Sequence, residues 1–401
     1  MTLIAIFIAL IFFYSLVSSR LERTVVTAPI LFTTAGMLVF LFWPELRDRR
    51  GNVELFLWLA QVGLVLLLFT DASRTDLTLL KDIRNLPIRL LSTGLLLTIV
   101  LGGLAALVIF RQLSLWEAGI LGAILAPTDA GLGQVIVSSP RVPVRIRQAL
   151  NVEAGLNDGL SVPFLLFFMV LAGRATAGHS NLGRFILEQL GYGTLIGLAG
   201  GLIGGSFLGL ARCKEWIAES SMQLGVVAVP LLAMMASEAV HASMFIAAFV
   251  AGLSVQVRFK EASKHSVEFA EEWGQLLNLS VFFVFGLLVA RDWRQFNLAH
   301  VEYAVMSLTV VRMLPVAIAL IGARLSRVTV LFMGWFGPRG LASIVLGLVY
   351  LQEVMGTEEP TIRFAVMVTV LFSIFAHGLS AMPGITLYAA SGPAEAEQRI
   401  A

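Results

Sequence analysis

Thirteen apolar runs, each about as long as a bilayer is thick, constrain this chain more than any single motif. They fall near 2–19, 26–43, 53–70, 88–110, 114–137, 147–172, 185–210, 222–238, 240–257, 274–290, 299–322, 328–351 and 361–388. Crossing the hydrocarbon core takes roughly 17–25 residues of helix, so nearly the whole chain is committed to membrane. The 401 residues are 58% hydrophobic and 13% charged, with a mean hydropathy of +0.87. Soluble domains carry about 25% charged residues, and the shortfall here predicts an all-α polytopic membrane protein. The division between the eighth and ninth runs is the narrowest, with Ala239 alone between them and Glu238 and His241 as its polar markers.

The Lys and Arg residues lie mostly between the runs. With thirteen spans the odd loops hold sixteen of them and the even loops nine. The positive-inside rule then places the N-terminus outside and the C-terminus in the cytoplasm of a plasma (inner) membrane. The net charge is +2 without a basic block, which gives no reason to expect a nucleic-acid partner. Cys213 is the single cysteine, so an intramolecular disulfide and a cysteine-based metal site are excluded. Met1 to Ser19 is apolar from its first residues and lacks a basic leader, so it is expected to remain as the first span. Only a short tail follows Tyr388, so no sizeable soluble regulatory or nucleotide-binding domain is expected.

Two runs are broken. The fifth contains Ala126-Pro-Thr-Asp-Ala-Gly-Leu-Gly133 and the twelfth Gly334-Trp-Phe-Gly-Pro-Arg-Gly340. Proline removes a backbone donor and clashes with the preceding turn, and the polar backbone it frees survives at membrane depth only where protein or a cavity surrounds it. The breaks lie seven spans apart, an odd offset that inverts the second copy of a repeated unit. Spans one to six (about 1–172) and eight to thirteen (about 222–388), linked by a span near 185–210, are therefore expected to form inverted repeats whose discontinuous helices cross, as in secondary transporters.

The sixth run opens with Asn151-Val-Glu-Ala-Gly-Leu-Asn-Asp-Gly-Leu-Ser-Val-Pro163. Asp158 lies about eleven residues into it, roughly 16 Å along a helix and near mid-membrane. A charged carboxylate there is costly. A proton or a cation such as Na⁺ can relieve that cost, and competition between the two for one carboxylate is sufficient for exchange. The alternative is an acid paired permanently to a base. Asn157 can orient Asp158 or bridge to another helix, and Thr128 can offer oxygen to a hard cation. Glu153 points about 140° away from Asp158 and needs another partner. Crossing helices would pair Asp129 with Arg339 and leave Arg312 to answer Glu153, contacts that hold helices together. Asp71 and Asp76 close span three with Ser73 and Thr75, and Asp71 is a candidate to face a cavity. His377 lies with Ser373 and Ser380 in span thirteen, where hydrogen-bonded packing is the default and a proton relay the alternative. The run from Gly197 to Gly205 predicts close helix approach.

Four stretches carry a family resemblance: Ala126-Pro-Thr-Asp-Ala130, the Glu153 to Gly159 run with its Asn-Asp, Gly337-Pro-Arg-Gly340, and Phe372-Ser-Ile-Phe-Ala-His-Gly-Leu-Ser380. In this order they resemble the signatures of the monovalent cation:proton antiporter-1 family, the NhaP and NHE type, over nearly the whole chain. The resemblance implies a thirteen-helix inverted-repeat fold, a homodimer with separate core and dimerisation domains, and electroneutral exchange of Na⁺ (or Li⁺, sometimes K⁺) for H⁺ rather than enzymatic chemistry. It implies that Asp158 binds the ion with help from Thr128 and Asn157, that Asp129, Glu153, Arg312 and Arg339 form the charge pairs, and that no cofactor is needed beyond the transported ions. Two positions depart from the family pattern. Ala154 stands where a serine is common, and Asp71 in Leu68-Phe-Thr-Asp-Ala-Ser73 stands near a usual glutamate. A K⁺/H⁺ exchanger and a cation channel or sensor are the alternatives.

Overall fold

In the computed structural model, residues 2–21, 24–43, 53–74, 86–173, 184–185, 187–259, 264–353 and 360–391 are described. Asp76, Thr75 and several loop cations of the charge count, among them Arg47, Lys81 and Arg174, lie outside them. Among the described residues there is no strand. The helices are α1 (Thr2–Leu21), α2 (Ala28–Phe42), α3 (Val53–Arg74), α4 (Leu86–Ile109), α5 (Leu115–Ile124), α6 (Ala130–Val137), α7 (Val144–Leu171) and α8 (Leu187–Cys213). They continue as α9 (Glu219–Ala239), α10 (Met244–Arg258), α11 (Lys264–Asp292), α12 (Leu298–Ala319, interrupted at Thr309), α13 (Arg327–Trp335), α14 (Leu341–Glu353) and α15 (Pro360–Ala390). Eight helices among the described residues are long and apolar enough to cross a membrane, and shorter apolar helices accompany them.

Both predicted breaks are present, between α5 and α6 and between α13 and α14. The narrow eighth-to-ninth boundary is also a real turn. His241 takes a left-handed conformation (φ 56°), Ala242 N–H closes on Ser237 O at 2.8 Å, and Ser243 caps α10 by accepting from Ile246 N–H. This is a six-to-one helix-terminating bond followed at once by an N-cap. The start of α11 differs from expectation, since it begins at Lys264 rather than near 274. The extra turns carry Glu271 on the wall of a cavity, where water access lets a polar segment remain helical.

Glycines set which helices belong together. A Cβ on Gly36 or Gly286 would lie 1.9 Å from Phe283 O or 2.0 Å from Thr33 O, so α2 and α11 touch backbone to backbone. Gly197, Gly201 and Gly205 press α8 onto α10, and Gly200 and Gly204 turn toward Ala233 and Val229 of α9, so the glycine run packs two neighbours at once. Gly252 seats α10 against Phe69 O of α3. A second bundle forms from α4 to α7 and α12 to α15, with Gly122 of α5 against Ile99 O of α4. The two bundles meet at fewer points: Gly155 against Asp71, Gly159 against Phe249, and Gly378 against Ile30.

The seams differ in how much they tolerate. Gly201→Val would drive methyl groups into Ser254 Oγ and Ala251 O, 2.1 and 2.5 Å from its Cβ position, and is expected to lower the thermal midpoint of the detergent-solubilised protein. Gly133→Ala meets nothing within 4 Å and gains helix propensity worth up to about 1 kcal/mol, so the midpoint should hold or rise. Equal losses for both variants would contradict this packing.

Candidate ion-binding site

The centre of the site is the contact between the two helix breaks. Asp129 is the N-cap of α6, where its Oδ1 accepts from Leu132 N–H at 2.9 Å. Its Oδ2 accepts from Leu341 N–H at 2.6 Å, at the first residue of α14. Its own N–H donates to Pro338 O at 2.7 Å. One carboxylate therefore closes the positive ends of two half-helices.

Arg339 does the complementary work. Fully buried, it donates through Nη1 to Pro127 O at 2.9 Å and to Ala126 O, just past the end of α5, and its backbone N–H donates to Ser373 Oγ at 2.6 Å. Ser343 Oγ also donates to Ile124 O at 2.8 Å. The expected Asp129–Arg339 ion pair is thus not formed. A broken helix exposes amides at one stump and carbonyls at the other, and these backbone groups take the two charged side chains.

The two glycines of Gly337-Pro-Arg-Gly340 follow from this arrangement. A Cβ on Gly340 would stand 2.0 Å from Asp129 Oδ2, and one on Gly337 would stand 2.1 Å from Arg312 Nε. Arg312 makes the pairing expected of it: Nη1 and Nη2 donate to Glu153 Oε1 and Oε2 at 2.5 and 2.9 Å, with both side chains 3% exposed.

Asn157 and Thr128 hold each other. Asn157 Nδ2 donates to Thr128 Oγ1 at 2.7 Å, and Thr128 N–H donates to Asn157 Oδ1 at 3.2 Å. Both are buried, and neither lines the cavity beside them. These two bonds tie α7 to the first break.

Asp158 is the next residue on α7 and faces a different way. It is half-buried, its Oδ1 has no hydrogen-bond partner, and it lines a cavity of about 700 Å³. Asp129 and Asp71 line the same space. Asp71 reaches it because its Cβ lies 3.1 Å from where Gly155 would carry one, one helical turn from Asp158. Ala154, at 7% exposure, is packed and offers no oxygen.

The cavity opens where the end of α3, the end of α6 and the starts of α7 and α11 gather. At the opposite ends, buried Asp292 of α11 pairs with Arg291 at 3.0 Å and lies 3.8 Å from Arg363 of α15. There the Phe364 ring packs against Phe296 and His300. His377 belongs to neither surface. It is buried, with Nδ1 3.0 Å from both Ser373 Oγ and Ser373 O, behind the residue that receives Arg339 N–H. Glu238 and His241 are exposed and away from the site.

Several polar cavity residues were not singled out in the sequence, among them Arg74, Glu271, Gln275 and Asn278. A signal existed in the spacing of Glu271, Gln275 and Asn278 at i, i+4 and i+7, a polar stripe on an apolar helix. Gln275 Nε2 donates to Glu271 Oε1 at 3.2 Å along it.

A polytopic helical fold with two crossed, cross-capped breaks and a one-sided cavity ending on a carboxylate defines a membrane protein built for ions. The sequence pattern of the family described as "Sodium/hydrogen exchanger, transmembrane" matches residues 5–385, and the chain belongs to that family. It is 26% identical over 396 residues to the K⁺/H⁺ antiporter NhaP of Alkalimonas amylolytica, covering 94% of this chain and 65% of that one. It is 28% identical over 360 residues to the Na⁺/H⁺ antiporter NhaP of Pseudomonas aeruginosa, covering 82% of this chain and 80% of the relative. The chain thus spans a little under two thirds of the Alkalimonas protein's length. Its fold matches that of the sodium proton antiporter MjNhaP1 of Methanocaldococcus jannaschii with a TM-score of 0.78, at 20% identity and 98% coverage of this chain and 99% of that one.

Glu153→Gln would leave Arg312 buried without its counter-charge, a loss of about 3–5 kcal/mol for a broken buried pair. Folded protein recovered in detergent should fall sharply. The double variant Glu153→Leu/Arg312→Met should restore the yield, because it removes both charges. A well-folded single variant or an unfolded double one would show that the pair does something other than compensate charge.

Proposed function

We propose that this protein is a secondary antiporter that exchanges a monovalent cation, Na⁺ or Li⁺ first, for H⁺ by alternating access, with Asp158 binding either ion in turn. The observation that carries this reading is the Asp158 carboxylate, without a hydrogen-bond partner on Oδ1, in a cavity that opens at one end of the bundle. Asp129 lines the same cavity, but each of its oxygens already accepts a backbone N–H. Asp129 therefore holds the breaks, and Asp158 holds the ion with Asp71 as a second source of oxygen. Asn157 and Thr128 act by keeping α7 fixed to the first break.

Exchange needs the ion to leave as readily as it arrives. Among the described residues no group of three His, Cys, Asp or Glu side chains converges to cage a metal, which suits a site that releases its ion at each cycle. One carboxylate carrying either Na⁺ or H⁺ moves the same charge in both directions, so the exchange is electroneutral. On the charge asymmetry of the loops, the cavity faces the cytoplasm across the plasma membrane, with the N-terminus outside. The protein works as a transporter rather than an enzyme and needs no resident cofactor.

K⁺/H⁺ exchange is the second reading, supported by the likeness to the K⁺/H⁺ antiporter NhaP of Alkalimonas amylolytica. A homodimer belongs to the same proposal. The outer faces of α1 (Ile8, Phe12, Leu16) and α8 (Leu195, Ile203, Phe207) are exposed and apolar, surfaces that lipid or a second copy would cover.

Purified protein in liposomes, given Na⁺, Li⁺ or K⁺ gradients and an internal pH dye, tests the reading. Cation-driven pH change should appear with wild type and vanish with Asp158→Asn, and collapsing the membrane potential should leave the rate unchanged. Exchange retained by Asp158→Asn would remove Asp158 from the mechanism. A rate that follows the potential would rule out a single shared charge.

A further inference from the structure

Four carboxylates line the cavity among the described residues, Asp71, Asp129, Asp158 and Glu271, and the one Lys or Arg side chain that joins them is Arg74. Arg74 follows Asp71 by three residues, a spacing that sets two side chains on neighbouring faces of one helix. It does not sit deep in the cavity. Its Nη1 is bonded to Glu271 Oε2 of α11, and the two side chains are 39% and 27% exposed. An ion pair that wet contributes little to stability. Its charges still act on whatever enters, since a cavity with low-dielectric walls focuses the field of the groups that line it.

We propose that Arg74 is a tethered cation that sets the affinity of the inlet for the transported ion, and that Glu271 is the counter-ion that holds it to the wall. With Glu271 in place, the guanidinium is engaged across α3 and α11 and the cavity stays open to a free cation. Without Glu271, the same guanidinium lies within reach of Asp71 on its own helix and competes with the transported cation for the carboxylates beyond. Among the described residues, Gln275 is hydrogen-bonded to Glu271, and Asp71 and Asn278 line the same cavity. This inference rests on the antiporter reading, in which a cation must reach Asp158 through this cavity.

The test is a double-mutant cycle in proteoliposomes, with the full chain, Na⁺ and then Li⁺ as the probes, and KM separated from the maximal rate. Arg74→Gln should lower KM for Na⁺ by roughly threefold to tenfold, the scale of one unit charge acting through a partly hydrated path. Glu271→Gln should raise KM by a similar factor. The double variant should return to within about twofold of wild type, because the competitor and its restraint leave together. Arg74→Lys keeps the charge and should keep the wild-type KM. The shifts should shrink when an impermeant salt raises the ionic strength.

A purely structural pair would give a different pattern: both single variants would lose maximal rate and thermal stability together, with KM unmoved. That pattern overturns the inference, as does a rise in KM for Arg74→Gln. Should Arg74→Gln not fold, Glu271→Gln and the double variant still decide, because only a freed Arg74 raises KM in the first and not in the second. Absence of exchange by the wild-type protein would instead count against the antiporter reading itself.

Discussion

The whole site depends on how two interrupted helices satisfy each other's backbone. A helix broken in an apolar interior exposes amides at one stump and carbonyls at the other, each costing several kcal/mol if left unpaired in lipid. Asp129 takes amides from α6 and α14, and Arg339 takes the carbonyls just past α5. The two breaks are therefore one construction. Neither is stable without the other, and their crossing point cannot drift. Ser343 and Ser373 extend the same logic with hydroxyls, and His377 supports Ser373 from behind.

Fixing the crossing in this way decides which carboxylate is left over. Glu153 is occupied by Arg312, and Asp129 by two amides. Asp158 has no such engagement on Oδ1, although it shares α7 with Glu153. The five-residue offset between them turns Glu153 toward α12 and Asp158 toward the cavity. Asn157, one residue away, is spent on Thr128. A single helix thus presents a paired acid and a bracing amide on one side and an acid without a partner on Oδ1 toward the cavity, and the latter stands where the two bundles meet.

Much of this was legible in the sequence, and what was missed has a physical cause. Proline and glycine at 126–133 and 334–340 announce the breaks because they report on backbone geometry directly. Glu153 with Arg312 was readable because each is a charge that apolar surroundings force to find its opposite. Asp129 with Arg339 misled for the same reason, since counting side-chain charges overlooks the partial charges of freed amides and carbonyls. The role of Gly337 and Gly340 was hidden because it depends on Arg312 and Asp129 filling the space of a Cβ from other helices. Glu271 was missed because hydropathy ends a span at the first charge, whereas a cavity wall lets the helix run on past it.

The bundles are welded internally by backbone contact at Gly36, Gly122, Gly201 and Gly286, where even a methyl group would collide. Between the bundles the contacts are side chain on glycine: Asp71 at Gly155, Phe249 at Gly159, Ile30 at Gly378. Asp158 rides on the bundle that contains the breaks, and Asp71 belongs to the other. On the proposed antiporter reading, displacement along this seam would change the separation of Asp158 and Asp71, and with it the oxygens offered to a cation. On that reading, a cation shared between Asp158 and Asp71 would be released as the two separate.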